Sequence, residues 1–326
     1  MIHPDQFTWL HWAGFLGAVL FFLALDLGVF HRKAHVVRFR EALAWTTLWF
    51  TLAMLFAAFV VPNEAGRGWM SGARAEFITG YILELSLSMD NVFVIALIFG
   101  YFQVRLEYQH RVLFWGIMGA LVMRGIMIGL GAALVAEFHW ILYIFGAFLV
   151  LTGIKMLFSN EEGVHPERNP LVRLARRFFP VSNDFDGQRF TTRRDGRLML
   201  TPLALVLIVV ETTDLIFAVD SIPAIFGVTQ NTFVIFTSNV FAILGLRSLY
   251  FVLAGMIGYF RFLKFGLSLV LVYIGFKMLS TMWGWKIPTN LSLGIVVGII
   301  ALSIIVSLIA ARWARREQQT DIIERD

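Results

Sequence analysis

Nine apolar stretches dominate this chain, at 9–30, 43–61, 77–102, 112–136, 140–158, 200–227, 233–257, 263–282 and 290–312. A hydrocarbon core about 30 Å thick needs roughly 20 apolar residues per helical span, and each stretch reaches that length. Backbone N–H and C=O groups in lipid must be satisfied within their own segment, so the stretches read as helices. The alternating pattern of a membrane barrel is absent. The predicted fold class is all-α, a polytopic membrane protein of about nine transmembrane helices. Of 326 residues, 58% are hydrophobic and only 15% are charged, against about 25% charged in soluble domains. That excludes a soluble enzyme, a nucleic-acid module and a disordered chain. The absence of cysteine removes disulfides, thiolate metal ligands and cysteine nucleophiles. The start, MIHPDQFTWLHW, lacks the basic region of a secretory signal peptide, so none is expected.

Basic residues set the expected orientation. With 159–199 in the cytoplasm, inside segments carry 20 Lys and Arg, including eight arginines between 159 and 199. Outside segments carry three, Arg67, Arg74 and Lys286. This positive-inside bias places the N-terminus outside and the C-terminus in the cytoplasm. A single transmembrane domain is expected over 1–312, with a basic cytoplasmic loop at 159–199 and a cytoplasmic tail at 313–326. Within the loop, Pro170 to Phe179 reads as a short basic amphipathic helix on the membrane surface. Arg189 to Leu200, with Asp195-Gly196 in its middle, reads as a hairpin.

The chain also repeats itself. Glu84-Leu-Ser-Leu-Ser-Met-Asp90-Asn91 matches Asp214-Leu-Ile-Phe-Ala-Val-Asp220-Ser221 at an offset of 130. Gly119 to Arg124 matches Ala242 to Arg247 at 123, and Gly153-Ile-Lys-Met-Leu157 matches Gly275-Phe-Lys-Met-Leu279 at 122. Each copy, about 77–158 and 200–282, holds three spans. Three is odd, so the second copy enters from the opposite side. The result is an inverted repeat of two three-helix units, an arrangement common in secondary transporters.

Five acids lie deep in the spans: Glu84, Asp90, Glu211, Asp214 and Asp220. Each ionised carboxylate at a span centre costs about 2.5–3.5 kcal/mol on insertion scales, so they must face the interior, water, a cation or one another. Arg124 and Arg247, equivalent in the repeat, are available as salt-bridge partners, leaving a formal surplus of three negative charges. A bound cation or protons would neutralise it. The carboxylates, the Asn91 amide and the Ser221 hydroxyl are hard oxygen donors suited to Mg²⁺, Ca²⁺ or Mn²⁺. Met89 is read as packing, and Asn239 as an interhelical hydrogen-bond partner.

A six-residue step leaves two acids roughly 120° and 9 Å apart on a straight helix. Glu84 and Asp90 therefore serve different levels of one path, unless the helix is interrupted. Pro223 suggests an interruption in the second copy, freeing the Val219 carbonyl. Glu211 has no acidic counterpart, because Tyr81 holds that place. No serine triad, phosphate loop or zinc motif is present, so no enzymatic activity and no resident cofactor are expected.

Glu84 to Val92 and Glu211 to Phe226 resemble the TerC/Alx family of integral membrane proteins, within the LysE-type transporter superfamily. Trp140 to Phe148 and Thr237 to Arg247 support the likeness, which extends from about residue 10 to 312. The resemblance implies export of manganese, with Glu84, Asp90, Asp214 and Asp220 as metal ligands and Glu211 alongside. Asn91 and Ser221 join the candidate ligand set from the oxygen-donor reading. The function expected is a secondary Mn²⁺ exporter in a bacterial inner membrane, working by alternating access with protons as a candidate counter-ion. A homo-oligomer is left open, and no nucleic-acid partner is expected. The alternative is a tellurium-resistance or metal-handover membrane partner with no transport of its own.

Overall fold

The computed structural model describes residues 7–25, 39–62, 72–158, 169–194, 197–253, 263–285 and 287–323. Its helices are α1 (Trp9–Leu25), α2 (Phe39–Phe59), α3 (Gly72–Tyr101), α4 (Leu106–Glu137), α5 (Ile141–Phe158), α6 (Pro170–Phe178), α7 (Pro202–Val228), α8 (Thr232–Leu253), α9 (Leu263–Ser280) and α10 (Thr289–Ile323). The strands β1 (Thr191–Arg194) and β2 (Arg197–Leu200) stand between α6 and α7. Among the described residues, eight helices are long and apolar enough to cross a membrane, and α1 is a shorter apolar helix. The protein is a polytopic all-α membrane protein. Several helices outrun their apolar stretches: α3 begins at Gly72 and α4 at Leu106, because the hydrogen-bond ladder continues through polar residues that hydropathy excludes.

α8 is the most enclosed span, whereas α2, α5 and α10 leave most of their surface outward. α3 packs on α8 and α7, α4 packs on α7 and α8, and α5 packs along α9. The α5–α9 joint follows the repeat register. A Cβ on Gly146 would stand 3.0 Å from the Gly275 carbonyl, and one on Gly275 would stand 2.6 Å from the Gly146 carbonyl. A Cβ on Gly153 would stand 2.8 Å from the Ser268 carbonyl. At the offset of 122, Gly146·Gly275 is the image of Ser268·Gly153. Lipid supplies no hydrophobic force between helices, so small residues that let backbones touch do the joining.

The described residues between α5 and α7 fold against the bundle rather than standing in solvent. Asn169 caps α6, its Oδ1 accepting from Leu171 N at 2.9 Å. Val172 is buried, while Leu171, Leu174 and Phe178 are exposed opposite the arginines. β1 and β2 pair antiparallel from Thr191↔Leu200 to Arg194↔Arg197. Gln188 donates to the Glu107 carbonyl at 3.2 Å, tying this segment to the start of α4. That end of the bundle is called the hairpin end below. The Asp195-Gly196 turn, and the basic residues Arg32, Lys33, Arg38, Arg67, Arg168, Arg261, Lys286 and Arg325, lie outside the described residues.

Candidate functional site

The intramembrane acids divide into separate neighbourhoods. Arg124 on α4 is 2% exposed. Its guanidinium pairs with Glu84 of α3 and donates from Nη2 to Asp214 Oδ1 of α7 at 3.2 Å. Its Nη1 donates to Asn239 Oδ1 of α8 at 3.3 Å. Asn91 of α3 donates from Nδ2 to the same Asp214 oxygen at 3.1 Å. One guanidinium thus joins four helices, and Asn239 makes the interhelical bond expected of it.

Helical spacing lays these groups out as facing stripes. Glu84, Ser88 and Asn91 stand at i, i+4 and i+7 on α3. Glu211, Asp214 and Ser221 stand at i, i+3 and i+10 on α7, which packs against α3. Glu211 carries a carboxylate one turn from Asp214 and lies against Gly119 of α4, where an added Cβ would land on its oxygens. Among the described residues, Ser88 Oγ, Asn91 Oδ1, Glu211 Oε2, Asp214 Oδ2 and Ser221 Oγ are buried with no hydrogen-bond partner. An unsatisfied buried polar atom costs about 1–3 kcal/mol, so such a row is unusual without water or an ion.

The row is a seam, not a cage: among the described residues no three His, Cys, Asp or Glu side chains come together to hold a metal. Asp220 faces Thr152 and Lys155 of α5. Asp90 is partly buried. With α3 and α7 continuous, the two acids of each motif stand at different levels of their helix. α7 runs unbroken through Pro223, which corrects the expected interruption. Ile222, Ala224, Ile225 and Phe226 around the proline are all buried and hold the helix despite the lost N–H. Val219, whose carbonyl the interruption would have freed, is 46% exposed on the outer face of α7.

The two arginines are not equivalent in place. Arg247 lines a cleft at the hairpin end with Glu41, Trp45 and Trp49 of α2, His110 of α4, and Ser248 and Phe251 of α8. Sequence reasoning missed Lys155, which faces Asp220, and Lys277, which lies in electrostatic reach of Glu76. Glu76 also accepts a hydrogen bond from the Thr229 hydroxyl at 2.5 Å. Arg74, assigned to an outer loop, is buried in the first turn of α3. It donates to the carbonyls of Ala57 and Ala58 at 2.9 Å each and closes the end of α2.

The family described as Integral membrane protein TerC family matches residues 70–319. The chain belongs to the TerC family. This TerC protein is 50% identical over 305 residues to the uncharacterized membrane protein STKORF319 of Myxococcus xanthus, covering 93% of each chain. It is 47% identical over 305 residues to Alx of Escherichia coli strain K12, named as a candidate membrane-bound redox modulator, covering 92% of this chain and 94% of that one. A membrane protein of Rickettsia bellii is 37% identical over 306 residues, covering 94% of this chain and 99% of that one. No solved structure matches.

Proposed function

We propose that this TerC protein is a secondary transporter that exports a divalent cation, Mn²⁺, from the cytoplasm of a bacterial cell across its inner membrane. The observation that carries the reading is local. Glu84 and Asp214 share one guanidinium, and Glu211 adds a third carboxylate one turn from Asp214, beside buried oxygens of Ser88, Asn91 and Ser221 that accept no hydrogen bond among the described residues. All are hard donors of the kind that replaces the hydration shell of a divalent ion. Arg124 holds two of the acids together. Its withdrawal would free oxygens on two helices belonging to different repeat units, which is where a rocking transporter exposes its site to either side in turn. Two acids one turn apart, Glu211 and Asp214, also suit proton exchange as the ion leaves. A thiol-based redox role finds no residue to act through, because the chain has no cysteine.

The test is flux of Mn²⁺ into proteoliposomes holding the purified protein and a metal-quenched dye. The wild type should quench the dye, and Glu84→Gln, Asp214→Asn and Glu211→Gln should each slow quenching by about tenfold, the effect of roughly 1.4 kcal/mol. Quenching no faster than in empty liposomes would sink the transport reading. Binding of Mn²⁺ without flux would favour the metal-handover alternative.

A further inference from the structure

The repeat register carries the Arg124 contacts onto themselves. At offsets of 130 and 123, Glu84 maps to Asp214 and Arg124 maps to Arg247. The image of Arg124 bridging Glu84 and Asp214 is therefore Arg247 bridging Asp214 and Glu84, the same two acids. The surroundings map as well. Arg124 bonds Asn239 of α8. Arg247 lies beside Phe114 and Ile117 of α4, whose register images, Thr237 and Val240, flank Asn239. Each arginine thus lies against the corresponding stretch of the other unit, and Arg124 is the one that bridges Glu84 and Asp214.

What breaks the symmetry lies outside the repeat. α2 packs on α8 and brings Glu41 into the cleft that Arg247 lines. His110 of α4 faces the same cleft. An inverted repeat changes its facing when the two units exchange conformations. We infer that Arg247 is the counter-ion of Glu84 and Asp214 in the oppositely facing state, taking there the place that Arg124 holds here. The inference rests on the alternating-access reading. It assigns Arg247 a positioning role: each arginine closes the acid pair in one state, and a divalent cation occupies the pair when neither does.

The cysteine-free chain makes the exchange measurable with single introduced thiols. Ser248→Cys lines the Arg247 cleft. Its register image, Gly125→Cys, meets only the Phe236 ring edge, at 3.4 Å. Reaction with a charged, membrane-impermeant thiol reagent is followed in proteoliposomes without Mn²⁺, for Ser248→Cys from the hairpin end and for Gly125→Cys from the other end. Arg124→Gln should slow labelling at Ser248→Cys by about tenfold and speed it at Gly125→Cys by a similar factor, a population shift of about one decade. Arg247→Gln should do the reverse, and lysine at either position should restore wild-type rates. Arg247→Gln leaves the Arg124 cluster intact, so it reports even where Arg124→Gln does not fold. Both probes moving in one direction, or Arg247→Gln leaving labelling at Gly125→Cys unchanged, would overturn the exchange. The readout uses no metal, so loss of the Mn²⁺ reading and loss of the arginine exchange are told apart.

Discussion

Glu211 shows how one joint is built twice with different chemistry. The register pairs it with Tyr81, and pairs Gly119 with Ala242. Tyr81 and Ala242 pack in one apolar cluster. In the other half a carboxylate stands where the ring would be, against a glycine that lacks the methyl group. Gly119→Ala should therefore push the Glu211 carboxylate aside. The expected outcome is a Mn²⁺ flux as low as that of Glu211→Gln, with a stability loss of about 1–3 kcal/mol by denaturant titration. Asp220 and Lys155 face each other across α7 and α5. Lys155→Met should lower the melting temperature in detergent by stranding Asp220, and Asp220→Asn added to it should recover much of the loss; purely additive effects would show that the two do not interact. The insertion cost of carboxylates made the acids legible from the sequence. The lysines were legible too: of 27 Lys and Arg, 23 are counted in the inside and outside segments, and the four left over are Arg124, Arg247, Lys155 and Lys277. Which arginine holds the acids was not legible. The two lie in matching sequence, and they differ in that Arg247 shares its cleft with Glu41 of α2, a helix the repeat does not contain.

Among the elements, α5 and α9 depend most on backbone contact. The Cβ of any residue replacing Gly275 meets the Gly146 carbonyl and the Val150 nitrogen, so the neighbour is backbone and cannot rotate away. Gly275→Val should separate the helices and cost about 3 kcal/mol or more, at the upper end for overpacking. Gly284→Val is a poor control because its φ is +76°, whereas Gly294→Val, with nothing near its Cβ, should be tolerated. The check is the detergent melting temperature of both variants. Hydropathy located these helices readily, since each is a long apolar run. It failed at their ends, where α10 continues through polar residues to Ile323, and at Pro223, where burial on both sides outweighs one missing hydrogen bond. α6 and the hairpin were legible from their own local signals, the amphipathic arginine spacing and the Asp-Gly turn. That they fold back onto α4 was not, because the docking bond runs from Gln188 to a main-chain carbonyl, which carries no side-chain signal.

At the scale of the whole molecule, charge and fold give the same division into two ends. The start of α4, the end of α8, α6 and the hairpin share one end, tied together through Gln188 and the Arg247 cleft. The arginines of α6 and the hairpin lie there, Arg173, Arg176, Arg177, Arg189, Arg193, Arg194 and Arg197. At the other end, the short turn at Phe138–Trp140 between α4 and α5 carries no Lys or Arg. Basic segments are retained on the cytoplasmic side during insertion, so the hairpin end should face the cytoplasm. Asn183 and His139 are both exposed and stand at opposite ends. In intact spheroplasts an impermeant maleimide should label His139→Cys and leave Asn183→Cys unlabelled, and inside-out vesicles should reverse the pattern. The opposite result would turn the whole bundle over. The Arg247 cleft would then open outward, the acid seam would stay in the same place between the repeat units, and the direction of transport would have to come from the driving ion rather than from which arginine holds the acids in this state.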